Sequence, residues 1–220
     1  MKYRAHEPGK PAEAAARDFC EVMSTRRSVR EFSSRPVDRE VIHWIIRSAG
    51  SAPSGANKQP WRFVAIDDPA LKREIRGAAE AEERLFYDRR AGADWLRDLE
   101  VLGTGPDKPF LEQAPWLIAV FKLMRADRTE RQTDQVYYAN ESVGIAAGML
   151  ITAVHLAGLA CLTHTPSPMK FLSDVLARPP HERPYLLIPV GYPADDCTVP
   201  EIKRKAIGEI LTFNRDPAQE

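Results

Sequence analysis

Cysteine is scarce in this chain, and the three thiols, Cys20, Cys161 and Cys197, lie far apart. They form no CxxC pair, no zinc spacing and no even-numbered disulfide framework. A reducing compartment, the cytoplasm, is therefore the expectation. An excess of one charge is also missing: Lys plus Arg and Asp plus Glu both number 31. That excludes a general nucleic-acid binder, which works by phosphate neutralisation, and leaves only local basic patches open. The first twenty residues hold no apolar core of the kind a secretory signal needs. The longest apolar stretch, Val136 to Leu159, contains Asn140, Glu141 and His155. It reads as a buried helix and not a membrane span. The familiar fingerprints fail too. Gly103–Gly105 lacks the third glycine of a dinucleotide loop, and neither a P-loop nor a G-x-S-x-G elbow is present. No two histidines have metal-ligand spacing, so no metal is expected, and His43 and His155 are read as structural.

What is present is a soluble-type composition, 44% hydrophobic and 28% charged, long enough for one domain with a sizeable core. Residues 1–11 are expected to be a flexible arm and 12–220 a single domain. "PAEAAARDFCEVM" is helical by its alanines and its proline at the first turn. "VDREVIHWIIRSAG" spaces Val41, Ile42, Ile45, Ile46 and Ala49 for one helical face, with Asp38 and Gly50 as caps. "WRFVAI" is expected to be a strand, and Asp68–Pro69 opens the next helix. "WLIAVFKL" fits a strand buried on both faces. "ACLTHT" and "YLLIPVGY" are expected strands and "PMKFLSDVLA" a helix. The tail from Thr198 is expected to be largely extended. Helices and a few strands without clean βαβ alternation give the α+β class.

Three stretches carry chemistry. "TRRSVREF" sets Arg26, Arg27 and Arg30 around Ser28, and guanidinium forks bind phosphate oxygens bidentately. From the charge run alone, a solvated basic turn is the favoured reading. "APSGANKQPW" offers Gly55 among small residues, where backbone N–H groups can approach a ligand. "KRK" at Lys203–Lys205 is a distant third basic cluster. Between them, "EAEERLFYDRR" places Glu83 and Tyr87 at i and i+4, on one helical face.

In order and spacing, "RRSVREF", "APSGANKQPW" and "VGYP…VPEIKRK" resemble the FMN-dependent nitroreductase superfamily. With "EAEERLFYDRRAGADWLRDL", the Lys108 loop, "YYANESVGIAAG" and "THTP", the chain looks like the iodotyrosine deiodinases within it. The resemblance implies a central mixed β-sheet flanked by helices, in an intertwined homodimer with two FMN sites at the interface. It implies FMN contacts from Arg26, Arg27, Ser28, Val29, Arg30, Ser54, Gly55, Thr163, His164, Thr165 and Arg204. Arg26, Arg27 and Arg204 fall at the phosphate. Arg30 falls at flavin N1 and O2, where a fixed cation stabilises negative charge. Thr165 takes the place of a hydroxyl bonded to flavin N5, which supports one-electron steps over hydride transfer. His164 stands where better-known members have Thr.

The same resemblance implies a mobile lid over about residues 80–112. Glu83 would take a substrate ammonium, and Lys108 with the Tyr87 hydroxyl a substrate carboxylate. The Ala56 N–H would hold a phenolate. Each of the three lid residues alone is more simply a surface or partly buried side chain. The expected activity is reductive dehalogenation of halogenated tyrosines through a keto tautomer, fed by NAD(P)H or by a reductase. The alternatives are a broad FMN nitroreductase or quinone reductase using NAD(P)H, and a halotyrosine-binding sensor without turnover.

Overall fold

The computed structural model describes residues 2–126 and 133–214. Met1 of the expected arm and the last six residues of the expected domain lie outside them. Residues 2–10 carry no helix or strand. Helix α1 (Ala12–Ser24) follows, with Pro11 one residue ahead of it, and then α2 (Arg39–Ala49). A single 3-10 turn, Gly55–Asn57, leads into β1 (Trp61–Ile66). Helix α3 (Pro69–Leu85) starts as the sequence suggests, with the Asp68 carboxylate accepting from the Leu71 N–H at 2.8 Å.

Helix α3 runs on into a π turn at Phe86–Arg90, then α4 (Ala93–Glu100) and the short α5 (Phe110–Gln113). After these come β2 (Trp116–Leu123), α6 (Ala139–Leu156), β3 (Ala160–Cys161), α7 (Lys170–Val175) and β4 (Glu182–Gly191).

Strand β2 explains the layering. Its side chains alternate between two cores, as a pleated strand requires. Leu117, Ala119 and Phe121 join Ile75 and Ala79 of α3, Phe110 and Leu111 of α5, and Leu172 of α7. Trp116, Ile118 and Val120 join Ile42 and Ile45 of α2 and Val143, Leu150 and Val154 of α6. Among the described residues α6 is the one helix long and apolar enough to cross a membrane by length and composition. One face of it packs on the sheet, as the sequence reading of a core helix expects.

The sheet differs from expectation in two ways. Its order is β1-β2-β4-β3, and all three ladders are antiparallel, not mixed. Parallel pairing is confined to one isolated bridge, Ser28 with Cys161. The Ser28–Phe32 segment cannot extend it, because Phe32 is already opposite Pro193 in an antiparallel bridge. Strand β3 is also shorter than "ACLTHT". Cys161 faces Val190 and His164 faces Leu187 in one continuous register. Leu162 would face Pro189, which has no N–H to give, so the ladder breaks there.

Candidate active site

Helix α1 stops at Ser24, where the Thr25 hydroxyl donates back to the Val22 carbonyl at 2.7 Å. The chain then runs beside Cys161, whose carbonyl accepts from the Val29 N–H at 3.2 Å. Val29 turns into the core. Arg26, Arg27, Ser28 and Arg30 line a cavity of about 220 Å³ together with Leu102, Pro200, Ile202 and Arg204. The tail is pinned there. Arg204 donates to the carbonyls of Ser24 at 2.9 Å and Arg26 at 2.7 Å, and Arg27 donates to the Pro200 carbonyl.

Four guanidinium groups thus converge, and among the described residues the lining holds no carboxylate and the buried Arg30 Nε has no hydrogen-bond partner. This donor set fits the phosphate end of a cofactor such as FMN. Small-molecule pockets usually hold roughly 300–1,000 Å³, so the cavity matches part of such a group and not all of it.

The lid residues come together. Lys108 Nζ lies 3.0 Å from Glu83 Oε2, with the two side chains only 4% and 11% exposed. Lys108 Nζ also donates to Gly105 O at 2.6 Å, and it lies 5.6 Å from the Tyr87 ring centre. The Tyr87 hydroxyl donates to Thr104 O at 3.1 Å. Burial raises the Tyr87 phenol above its ordinary value and the Glu83 carboxylate adds to this; the Thr104 bond and the Arg30 charge oppose it. Leu102, from the same segment, lines the arginine cavity. Phe86 meets Tyr87 edge-on at 5.5 Å and Trp95 at 4.8 Å, which makes it the anchor of α4.

Glu80 escaped the sequence reading. It is buried and accepts from Arg76 at 2.8 Å, from Arg84 at 3.4 Å and from the Lys108 backbone N–H at 2.8 Å. Desolvation would raise its carboxyl, but Arg76, the Lys108 N–H and Arg84 together hold it below the usual range. A signal was available: Arg76, Glu80 and Arg84 stand at successive i, i+4 positions. Leu102, which brings the lid segment to the arginine cavity, had none.

His164 is held in place by a reciprocal backbone pair with Leu187, at 2.8 and 3.0 Å. Its ring is buried edge-on to Phe110, and among the described residues its Nε2 has no hydrogen-bond partner. Burial first, then the charges of Lys108 and Arg30, push its pKa down to about 3. His164 thus lies within the field of both the arginine cavity and the lid. Its neighbours Thr163 and Thr165 are exposed. Thr165 lines a different, larger cavity of about 630 Å³, with Met169, Lys170, Arg178 and Pro184.

Ser54, Gly55 and Ala56 are not brought to this cluster. Ser54 Oγ accepts from the Gln59 N–H at 2.9 Å. A Cβ on Gly55 would lie 3.0 Å from Tyr137 O and 3.2 Å from Tyr138 Cδ2. The atoms that come close to Gly55 are those of Tyr137 and Tyr138. Ala56 has φ +49°. Among the described residues these three share no hydrogen bond, ion pair or cavity wall with the arginines or the lid.

Comparison with known proteins sharpens the picture. The model of the nitroreductase family matches residues 23–192. An iodotyrosine deiodinase from Haliscomenobacter hydrossis is 52% identical over 191 residues, covering 86% of this chain and 85% of that protein. The chain belongs to the nitroreductase family. Another family member, iodotyrosine deiodinase 1 of Homo sapiens, is 42% identical over 209 residues, covering 94% of this chain and 72% of that protein. Among solved nitroreductase-type structures, an oxidized iodotyrosine deiodinase bound to FMN and 3-iodo-L-tyrosine is similar with a TM-score of 0.75. Its identity is 31%, covering 89% of this chain and all of that one.

Proposed function

We propose that this chain is an FMN-dependent reductive dehalogenase of halogenated tyrosines. The observation that carries the reading is the meeting of Glu83, Lys108 and the half-buried Tyr87 in one cluster, in a segment whose Leu102 lines the arginine cavity. A generic flavin reductase needs the arginines. It has no use for a carboxylate, an ammonium and a phenol held together.

FMN, when bound, supplies the two electrons that reduce the carbon–halogen bond. Arg26, Arg27 and Arg204 would hold its phosphate, and Arg30, whose Nε is buried without a hydrogen-bond partner among the described residues, would serve its ring system. Thr165 would offer a hydroxyl to that ring, with Thr163 and His164 beside it, although in this chain alone Thr165 lines the separate cavity. Glu83 takes the substrate ammonium, and Lys108 with Tyr87 takes the carboxylate. These contacts place the phenol ring and exclude water from it. The halogen-bearing carbon takes up one proton, passing through the keto tautomer, and halide leaves as tyrosine forms.

The reading includes a second copy of the chain. Ser54, Gly55 and Ala56, with the phenolate-holding N–H of Ala56, would come to the site from the partner in a homodimer. Ile145 and Leu156 on the outer face of α6, and Phe19 and Val22 on α1, are exposed and suit such an interface. Residues 80–112 would act as a lid that opens for substrate. NAD(P)H or a reductase would be the electron donor, and the cytoplasm the compartment.

Titration of the oxidised FMN form with 3-iodotyrosine and with 2-iodophenol tests the reading. Iodotyrosine should bind at least about a hundredfold tighter, as two charge-assisted contacts of roughly 1.5–3 kcal/mol each require. Equal, weak binding of both would overturn it.

A further inference from the structure

The loop between His164 and Met169 carries Thr165 and is held at few points. His164 is fixed at its start by the backbone pair with Leu187, and at its end the Met169 carbonyl accepts from the Leu172 N–H at 3.0 Å. Pro166 and Pro168 have no N–H to give in between. Pro166 is buried, whereas Thr165, Ser167 and Pro168 are exposed. Among the described residues, the stretch 165–168 makes one hydrogen bond, in which Arg90 Nη1 donates to the Ser167 carbonyl at 2.8 Å. The same Nη1 donates to Glu82 Oε2 at 2.9 Å, so the guanidinium is aimed from α3. Arg90 closes the π turn Phe86–Arg90. That turn also carries Tyr87, whose hydroxyl holds Thr104 O, and Phe86, which meets Trp95. It is therefore fixed without help from Ser167.

We infer that Arg90 is a positioning residue for Thr165: its hydrogen bond to Ser167 ties the loop that bears the Thr165 hydroxyl to the turn that bears Tyr87. The inference rests on the halotyrosine reading above and names a residue which that reading does not use. Thr165 and Ser167 line the same cavity, two residues apart. Two residues span at most about 7 Å, so the place of the Ser167 carbonyl restricts the place of the Thr165 hydroxyl. Without Arg90, packing at Pro166 alone restrains the loop between His164 and Met169, and the hydroxyl samples more positions. A group that must meet one reacting atom loses effect when it is displaced by about 1 Å. The Arg90–Glu82 pair itself contributes little to folding, because its side chains are 42% and 26% exposed. None of Arg90, Glu82 and Ser167 lines the arginine cavity. Loss of Arg90 therefore acts on the loop and leaves the fold and the FMN phosphate residues in place.

Arg90→Ala in the FMN form of the full chain tests this. Iodide release from 3-iodotyrosine should fall about three- to tenfold in kcat, with iodotyrosine and FMN affinities within about threefold of wild type. Reduction of a nitroaromatic should stay near wild type. In a Thr165→Ala background the same substitution should change iodide release by less than about twofold, because a residue that acts through Thr165 has nothing left to act on. Losses that multiply in the double variant overturn the inference, and so does a fall in iodotyrosine affinity with kcat unchanged. The second measurement needs no turnover. Amide hydrogen exchange over residues 163–169, followed by mass spectrometry, should be at least about threefold faster in Arg90→Ala than in wild type. Equal exchange overturns the inference. A wild-type chain that releases no iodide is a different result. It overturns the halotyrosine reading, and the exchange measurement then decides by itself whether Arg90 holds the loop.

Discussion

Arg204 donates hydrogen bonds to the carbonyl of Arg26 at 2.7 Å and to that of Ser24 at 2.9 Å, so the basic cluster of the tail closes the basic turn after the first helix. The Arg204 guanidinium is thereby held by main chain in the lining of the cavity. Arg204→Ala removes both the lock and one of four cations. FMN affinity should fall by about 10- to 100-fold, since a hydrogen bond to a charged group contributes roughly 1.5–3 kcal/mol. Quenching of flavin fluorescence on binding measures this. Arg204→Lys should recover only part of it, because an ammonium cannot bridge two carbonyls as a planar fork does.

The lid variants should behave in the opposite way. Glu83→Gln, Tyr87→Phe and Lys108→Ala each weaken iodotyrosine binding by on the order of tenfold or more while leaving FMN affinity within about threefold. Tyr87→Phe is the mildest, because it removes one hydroxyl bonded to Thr104 O and keeps the ring beside Lys108. Unchanged iodotyrosine affinity in all three would remove the lid from the substrate site.

Thr165→Ala tests the hydroxyl assigned to the reducing ring. Iodide release from iodotyrosine should drop on the order of tenfold, as loss of one hydrogen bond of roughly 1.5 kcal/mol gives. Reduction of a nitroaromatic by the same variant should stay near wild type, since that reaction does not depend on the same one-electron path. A parallel fall in both activities would make Thr165 structural, in keeping with the larger cavity its side chain lines.

His164 makes a prediction about acid stability. Its pKa in the folded protein is pushed down to about 3 by burial, Lys108 and Arg30, from an ordinary value of 6.5. The unfolded chain therefore takes up a proton at a higher pH than the native one does. The stability so conferred is complete above pH 6.5 and is lost as pH falls from there towards 3. The loss approaches about 1.4 kcal/mol per pH unit. Denaturant unfolding between pH 6 and 4 should show wild type falling more steeply than His164→Asn by about that slope. Identical slopes would mean that His164 is not held neutral by its surroundings.

How much of this was legible beforehand follows from the range of each signal. Strand β2 could be read from "WLIAVFKL" alone, because burial on both faces leaves a continuous apolar run. The start of α3 could be read because Asp68 and Pro69 act on their own backbone. The break in β3 could not. It depends on Pro189 being brought opposite Leu162, and no local property of "ACLTHT" records that partner.

The sequence by itself determined which residue types are present in which order: the arginine turn, the Glu83–Tyr87 spacing, the lysine loop and the basic tail. Those are covalent facts, and helical periodicity over one turn follows directly from them. Only the tertiary structure decided that Glu83 and Lys108 are buried together as an ion pair, in a segment whose charge looked like plain exposure. It also decided that His164 is neutral and that Gly55 lies against Tyr137. The reason is physical. Burial, and with it the strength of a charge pair or the position of a pKa, is set by neighbours distant in sequence that arrive only when the sheet and its helices have packed.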